Sequence, residues 1–506
     1  MIGVDQNTIL ALLPPAGMVV LAFLLVIVDL ARPGRDRLIT FVASAGFLLL
    51  MALTVVIGPL PNIGILTGPV EVFGGAYVRD TMTATLDLLF LAIGLLSVLF
   101  GPDYLRPRGL PAAEFAAMLC FALTGAMLLG GAHDVIILFL ALELMVLPGY
   151  MLAGYAKRDG LSTEGAIKYF LLGSFSSAIF LFGLVLTFGF TGTTNISEIA
   201  DVLRGGLEGA GLAPGFVMGL ALLTTGAAFK IAAVPFHYWT PDAYQGSPTP
   251  VTGYLSVGPK VAAFALILRL FVEALGPVKE DWTPFIVFLA AATMTLGNLV
   301  ALSQDNIKRM LAYSSIAHTG YILVGLAAYG ASAVGSPAEQ AGLQAVFFYS
   351  IAYAFMNLGA FAVVAALQRR PGVTSQISSF SGLGRRAPML AALMLLFLLS
   401  LTGIPPLAGF WAKWYVIQSA LQVGGWLTLL AVLTMINAAI AAFYYLRVAV
   451  YMYMRDAPES TPAVSIGRAT RTGLGVAAVA TVAIGLIPPV TIAVITLAEQ
   501  AALALL

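Results

Sequence analysis

The chain has 506 residues, of which 60% are hydrophobic and only 10% charged, and its formal net charge is +1. Soluble domains carry roughly 25% charged residues, so a water-soluble fold is excluded and a lipid environment is predicted. The near-neutral balance argues against nucleic-acid binding, and the single cysteine, Cys120, excludes an internal disulfide and a cysteine cluster for iron–sulfur or zinc.

Apolar stretches long enough to cross a membrane recur along the whole chain. A bilayer core about 30 Å thick needs about 20 apolar residues per helix. This criterion predicts an all-α, polytopic membrane protein with about fourteen spans in one transmembrane domain, residues 1–506. The first span is predicted to be retained, because it is too long for a signal sequence and has no basic residues before it. The predicted spans are 10–30, 38–57, 81–100, 111–131, 134–154, 164–190, 215–240, 249–273, 283–302, 307–329, 341–367, 388–424, 427–453 and 473–498.

The seventh and twelfth spans contain helix-breaking residues. Pro235 interrupts the seventh, and the segment GIPPLAGF, residues 403–410, interrupts the twelfth. Proline removes a backbone donor and clashes with the preceding turn, so both are predicted to be broken helices, which transporters place near ion sites. A simple packing kink is the alternative. The two breaks lie five spans apart, which suggests two inverted five-helix repeats. The predicted subdivision is helices 1–3 (1–105), first repeat with helices 4–8 (106–275), second repeat with helices 9–13 (276–455) and C-terminal helix 14 (456–506).

Basic residues concentrate in alternate loops. The loops after odd-numbered spans contain 17 lysine and arginine residues, and the opposite side contains 3. Cytoplasmic loops carry an excess of these residues. The loops after odd-numbered spans, Lys308 and Arg309 among them, are therefore predicted to face the cytoplasm, and both termini are predicted to face outward.

Four charged residues lie deep inside predicted spans, namely Glu143, Lys230, Lys260 and Lys413. A charge at the bilayer centre costs about 2.5–3.5 kcal/mol on insertion scales. Static ion pairs that only fix helix packing are one explanation, but one carboxylate cannot compensate three lysines. Burial disfavours the charged form of a lysine, whereas a nearby carboxylate favours it. A lysine balanced between these effects can load and release a proton, so the four residues are predicted to form a proton relay.

Two further residues are weaker candidates for the relay. Lys168 lies one turn from Glu164 near a span end, where an ion pair is a sufficient explanation. His237 lies about two turns beyond Lys230, and histidine titrates near neutrality, so it is either a proton way-station or a structural hydrogen-bonding residue. His318, also within a span, is interpreted as structural.

The sequence contains no phosphate-binding GxxxxGK, no dinucleotide fingerprint after a strand and no HExxH motif. Coupled transport therefore needs an energy source outside this chain, either an ion gradient or a partner.

Four long motifs resemble those of one known family. They are LELMVLPGYMLAGYAKRDGLSTEGAIKYFLLGSFSSAIFLFG, AFKIAAVPFHYWTPDAYQGSPTPVTGYLSVGPK, NIKRMLAYSSIAHTGY and GIPPLAGFWAK. In this order they resemble the antiporter-like membrane subunits of complex I, the proton-pumping NADH:quinone oxidoreductase, over nearly the whole chain. Three features favour the subunit N (chain 2) branch. The histidine-rich start of span eight in the L and M branches is replaced, the long C-terminal lateral helix of L is missing, and Lys413 stands where M typically carries glutamate.

The resemblance implies a fold of fourteen helices with two inverted five-helix repeats. It also implies that Glu143 modulates Lys230, that Lys260 is the central lysine, and that Lys413 leads to the outer half-channel. Lys168 matches a family lysine in span six. The function implied is proton translocation coupled to quinone reduction in other subunits.

The resemblance also implies the surroundings of the chain. This chain would bind no cofactor and carry no redox site, because NADH, FMN, iron–sulfur clusters and quinone would be held elsewhere in the enzyme. Its partners would be subunit M, the small subunits K, J, A and H, and the lipid of a bacterial inner membrane, with both termini periplasmic. A subunit of a multisubunit cation/proton antiporter and a purely structural membrane subunit are the alternatives.

Overall fold

The protein is built almost entirely from α-helices. The computed structural model describes residues 5–61, 63–206, 212–369, 374–457 and 466–506. In these residues the α-helices are α1 (Gln6–Ala31), α2 (Asp36–Ile57), α3 (Thr81–Phe100), α4 (Pro102–Leu105), α5 (Ala112–Gly131), α6 (Val135–Ala153), α7 (Gly160–Thr191), α8 (Ile196–Gly206), α9 (Pro214–Lys230), α10 (Trp239–Gly246), α11 (Thr249–Ile267), α12 (Lys279–Leu302), α13 (Ile307–Ala331), α14 (Pro337–Leu367), α15 (Leu383–Arg386), α16 (Pro388–Thr402), α17 (Ala408–Val423), α18 (Leu427–Met454), α19 (Arg468–Leu486) and α20 (Pro488–Leu503). Short 3-10 helices cover Arg106–Arg108, Gly276–Val278 and Ile377–Phe380, and a π-helix covers Leu268–Ala274.

The predicted polytopic all-α membrane fold is confirmed. Twelve helices within the described residues are long and apolar enough to cross a bilayer, and α9, α16 and α20 are shorter apolar helices. The predicted breaks are present, because α9 and α10 divide the seventh span and α16 and α17 divide the twelfth. Twelve helices in the described part of the chain qualify by length. The predicted number of fourteen is reached only when the divided seventh and twelfth spans are each added as one span.

Two local features differ from the prediction. A small antiparallel hairpin of β1 (Val70–Val72) and β2 (Tyr77–Arg79) lies between α2 and α3. Strands of three residues leave too short a pattern to predict. The span predicted over 473–498 consists of α19 and α20, which are separated at Ile487. The consecutive residues Pro488 and Pro489 account for this break, because proline cannot continue a preceding helix.

Aspartate and asparagine side chains cap the starts of α6 and α13, two of the helices that carry the site. The Asp134 carboxylate accepts a hydrogen bond from the Ile136 N–H at the start of α6, and the Asn306 side chain accepts from the Lys308 N–H at the start of α13. Such caps satisfy backbone donors that a helix start leaves free. These caps fix the residues at which α6 and α13 begin. They therefore also fix the positions of the polar residues along the two helix axes.

Three helices form the centre of the bundle. The most apolar part of α11 is completely buried, and α13 and α14 are almost as deeply enclosed, whereas α1, α2, α7 and α18 expose much of their apolar surface. Spans four to eight are α5, α6, α7, α9–α10 and α11, and spans nine to thirteen are α12, α13, α14, α16–α17 and α18. Each group has its broken helix in fourth position, and the inverted relation between the groups stays a prediction.

Candidate functional site

Lys230 is the last residue of the half-helix α9, directly at the break. Beyond it the chain turns through Ala232, whose φ of 57° is unusual for a residue other than glycine. The freed backbone groups find partners within the protein. The Phe229 carbonyl accepts from the indole N–H of Trp239, and the Val234 N–H donates to the hydroxyl of Thr293. A non-helical segment at membrane depth requires this, because lipid offers no hydrogen bonds.

Ser177 on α7 connects Lys230 to Glu143. The Lys230 Nζ donates to the Ser177 Oγ over 2.7 Å, and this hydroxyl donates to the Glu143 Oε1 over 2.6 Å. Lys230 is 7% exposed, and its charge interacts with that of Glu143. Lys230 and Glu143 are therefore joined through one hydroxyl, and the modulation of Lys230 by Glu143 that the resemblance implies stays a prediction. A serine hydroxyl can accept one hydrogen bond while it donates another, so this arrangement is chemically able to pass a proton between the amine and the carboxylate.

Lys260 lies in the centre of the bundle on α11 and is 4% exposed. Its Nζ donates to both the carbonyl oxygen and the hydroxyl of Ser315 on α13, each over 2.6 Å. The hydroxyl of Tyr353 also donates to the Ser315 Oγ, over 2.8 Å. Within the described residues no carboxylate forms an ion pair with Lys260. The hydrogen-bond acceptors around Lys260 are therefore neutral. This agrees with the sequence, in which one carboxylate cannot compensate three buried lysines.

Thr319 brings the break of the seventh span next to the Lys260 contact. Its hydroxyl lies 2.9 Å from the Ile231 carbonyl oxygen and 3.2 Å from the Ser315 carbonyl oxygen. Ile231 directly follows Lys230 in the chain. The helix α13 thus carries polar groups from the vicinity of Lys230 to Lys260.

His318 continues this series of buried polar groups between Lys260 and Lys413. We call the series from Lys230 through Lys260 to Lys413 the buried row. Its ring nitrogens lie 2.7 Å from the hydroxyl of Tyr349 and 3.2 Å from that of Tyr445. The ring also packs against Tyr353 with centroids 5.0 Å apart and against Tyr321 with centroids 5.6 Å apart. These bonds suit the structural role predicted for His318. Its position also adds it to the row, because Tyr353 contacts Ser315 and Tyr321 contacts Lys413.

Lys413 on α17 caps the other broken helix. Its Nζ donates to the Leu401 carbonyl over 3.0 Å and to the Thr402 carbonyl over 2.7 Å, and lies 5.0 Å from the centre of the Tyr321 ring. Leu401 and Thr402 end α16, where a positive charge is favourable. Gly403 follows with a φ of 91°, which glycine adopts without strain. A Cβ there would lie 2.9 Å from the Lys413 side chain.

Lys168 lies outside this buried row. Its Nζ pairs with Glu164 over 2.6 Å and with Asp242 of α10 over 2.7 Å, and its side chain is 42% exposed. The predicted ion pair with Glu164 is therefore present. Arg309 also pairs with Asp242, over 2.6 Å, so these charges tie α7, α10 and α13 together.

His237 does not have the predicted relation to Lys230. The residues between α9 and α10 are not helical, so a separation of two helical turns is wrong. Its buried ring stacks on Tyr238 with centroids 4.6 Å apart. The Nδ1 atom has no hydrogen-bond partner among the described residues. Among these residues, no hydrogen bond or ring contact joins His237 to Lys230.

The sequence interpretation did not include the bridging hydroxyls of Ser177, Ser315 and Thr319. A usable signal is present, because His318 and Thr319 follow Ser315 by three and four residues, the spacings that make residues neighbours on a helix. Lys308 is a further residue whose role the sequence does not indicate. It is predicted to lie in a cytoplasmic loop, whereas the structure buries its side chain at the start of α13, with 3% exposed.

Broken membrane helices beside buried lysines, inside a polytopic bundle, define the class of antiporter-like membrane subunits. Residues 132–439 match the family model described as NADH:quinone oxidoreductase/Mrp antiporter, TM. The chain is 43% identical over 423 residues to NADH-quinone oxidoreductase subunit N 1 of Koribacter versatilis (strain Ellin345), covering 84% of this chain and 81% of the relative. It is 40% identical over 489 residues to NADH-quinone oxidoreductase subunit N of Chloroflexus aggregans (strain MD-66 / DSM 9485), covering 94% and 96%.

A solved structure agrees with these relatives. The fold matches a chain of respiratory complex I from Thermus thermophilus with bound aureothin at a TM-score of 0.74 and 31% identity, covering 94% of this chain and 98% of that chain. This protein belongs to the NADH-quinone oxidoreductase subunit N family, an antiporter-like family of integral membrane proteins.

Proposed function

We propose that this chain is a proton-translocating membrane-arm subunit of a complex I-type NADH:quinone oxidoreductase. Protons would pass through Glu143, Lys230, Lys260 and Lys413, driven by quinone reduction in other subunits. The observation that carries the proposal is the bridge from Lys230 through Ser177 to Glu143, beside a buried row that reaches Lys413. NADH, FMN, iron–sulfur clusters and quinone would be bound by the other subunits, and this chain contributes no redox step.

Glu143 controls the proton on Lys230. Two short hydrogen bonds through one hydroxyl hold the amine and carboxylate close together. At about 5 Å and an effective dielectric constant of about 20, the attraction is about 3 kcal/mol. Moving one charge through 100 mV takes about 2.3 kcal/mol. Neutralising Glu143 or turning it away therefore changes the energy of the Lys230 proton by an amount comparable to the work of pumping.

The proton then moves towards Lys260 and Lys413. Carbonyl oxygens accept but do not donate hydrogen bonds, so the hydroxyls of Thr319 and Ser315 act together with water that enters at the helix break. Beyond Lys260, the imidazole of His318 and its tyrosine partners lead to Lys413, from which the proton leaves on the outer side. In this proposal the protein lies in a bacterial inner membrane with both termini in the periplasm.

Neighbouring subunits complete the membrane arm. Glu143 is only partly buried in the isolated chain, and the adjacent Leu140 and Leu147 are 58% and 50% exposed. A carboxylate at mid-membrane depth is costly against lipid, which favours a protein neighbour on this face of α6. We propose the subunits M, K, J, A and H as partners of this chain.

A subunit of a multisubunit cation/proton antiporter is the second candidate, because the matching family model also covers Mrp antiporters. Affinity purification of the tagged chain from mild detergent separates the two. We expect flavin- and iron–sulfur-containing subunits to co-purify, and proteoliposomes of the purified complex to acidify their lumen when NADH and quinone are added. Co-purification without redox subunits, together with gradient-driven cation/proton exchange, would support the antiporter instead.

Replacing Ser177 by alanine is expected to lower the rate of quinone reduction about tenfold in the assembled complex. The change removes the acceptor of Lys230 and the donor to Glu143, and a hydrogen bond to a charged group contributes about 1.5–3 kcal/mol. Ser177→Thr keeps the hydroxyl and is the matched control, with an expected rate within about threefold of wild type. Rates are measured on membranes and normalised to the amount of complex on native gels. Equal rates for the alanine and wild-type proteins would remove Ser177 from the relay.

A further inference from the structure

Lys308 is a buried lysine that the relay described above does not use. Its Nζ donates to the carbonyl oxygens of Gln245, over 2.9 Å, and of Ser247, over 2.5 Å. Both carbonyls lie at the carboxyl end of the half-helix α10, where a positive charge is favourable. No ion pair between Lys308 and a carboxylate occurs in the described ranges of the chain. The amine thus occupies the same kind of position as Lys413, which caps the half-helix α16.

The charged groups around Lys308 have other partners or act from a distance. Asp242 of α10 is already paired with Lys168 and Arg309. Asp159 and Arg108 act on Lys308 electrostatically and carry opposite charges. The burial of Lys308 is therefore not explained by a local carboxylate, in contrast to Arg309 next to it.

Polar groups lead from Lys308 towards the Lys260 contact. The Ser247 carbonyl that accepts from Lys308 also accepts from the Thr252 hydroxyl, over 3.3 Å, and this hydroxyl lies 2.9 Å from the Tyr244 carbonyl oxygen. The hydroxyl of the buried Tyr244 side chain donates to the carbonyl oxygen of Leu255 on α11, over 3.0 Å, five residues before Lys260. Ser315 itself lies seven residues after Lys308, which is about 10.5 Å along the same face of α13. Lys308 is thus about two turns from Ser315, nearer the end of α13 that we predict to face the cytoplasm.

We propose that Lys308 loads protons into the relay from the cytoplasmic side. A hydronium ion transfers its proton to the neutral amine and leaves as water. The resulting ammonium later gives this proton to a second water molecule on the path to Lys260, and the amine becomes neutral again. This inference rests on the proposed function, because a loading residue has a purpose only if the row beyond it carries protons.

Two substitutions separate proton loading from a purely structural cap. Lys308→Arg keeps a cation at the α10 carbonyls, but arginine does not deprotonate in proteins. Lys308→Gln keeps an amide that donates to carbonyls but has no titratable proton. The variants are compared with wild type and with Arg385→Gln, a side chain that is 83% exposed. NADH-driven lumen acidification and quinone reduction are measured with the purified complex in proteoliposomes, and assembly is checked by flavin content and native gels.

We expect both Lys308 variants to assemble and to pump at least fivefold more slowly than wild type, while Arg385→Gln is unchanged. Pumping within twofold of wild type by either variant would overturn the proposal, and so would failure of both to assemble, because a cap is then the main role of Lys308. The complex with Lys230→Met is measured in parallel. If it is inactive while the Lys308 variants pump, only this inference fails. If it pumps normally, the proposed function fails.

Discussion

Replacing Lys230 by methionine is expected to lower both quinone reduction and proton pumping at least tenfold in the assembled complex. Methionine has a similar length and suits an apolar interior, so α9 and the break after it remain packed. The substitution removes the amine that donates to Ser177 and leaves Glu143 without this nearby cation. The rates are measured with NADH and a soluble quinone on membranes that contain equal amounts of complex.

Lys230→Arg is the matched control for charge. Arginine keeps the cation that Glu143 attracts but does not release its proton, so we expect this variant to be nearly as slow as Lys230→Met. Recovery of normal rates with arginine would show that Lys230 holds helices together by its charge alone. That result would support a purely structural membrane subunit, the third alternative for this chain.

Replacing Glu143 by glutamine is expected to have the second large effect, a loss of at least tenfold in pumping. The amide oxygen of glutamine still accepts the hydrogen bond from Ser177, so the geometry is kept while the negative charge is lost. Without this negative charge, the attraction that favours a proton on Lys230 is lost, so Lys230 no longer loads its proton in step with Glu143. Lumen acidification and quinone reduction are measured together on the purified complex.

Glu143→Asp provides the comparison for this prediction. It retains the charge on a side chain that is shorter by one methylene, and we expect at least a third of the wild-type rate. If glutamine and aspartate have equal effects, the position of the side chain matters more than its charge, and Glu143 does not control the Lys230 proton electrostatically.

The membrane fold follows from hydropathy and proline positions, because both act locally. Long apolar stretches must be helical in lipid, where every backbone group needs an internal partner. Pro235 and the GIPPLAGF segment therefore mark breaks in the sequence itself. The hairpin of β1 and β2 was not predicted, because its strands are only three residues long. The sequence does not predict α20 as a separate helix either. The span criterion counts apolar residues and gives no weight to Pro488 and Pro489.

The site was only partly predictable because charge is visible in a sequence but contact is not. Lys230, Lys260 and Lys413 were identified because a lysine in an apolar span is costly. The sequence predicts no role for Ser177 and Ser315, since serine is common in membrane helices and both residues act here through neighbours on other helices. Whether a residue near a span end is buried depends on tertiary packing.

Lys308 shows the consequence of this limit. At the first turn of α13 its position suited a cytoplasmic loop, yet α10 folds back over it and its amine reaches the α10 carbonyls. His237 shows the opposite error. Helical spacing related it to Lys230, but the break that the sequence itself predicts removes that spacing.

We propose that the Glu143–Ser177–Lys230 bridge carries the redox-driven proton. The most direct test is the initial rate of NADH-driven lumen acidification by purified wild-type and Lys230→Met complexes in the same proteoliposome preparation, with electron transfer recorded simultaneously. We expect at least a tenfold lower acidification rate for Lys230→Met, with normal flavin content and normal assembly. Wild-type acidification at a wild-type ratio of protons to electrons would contradict it.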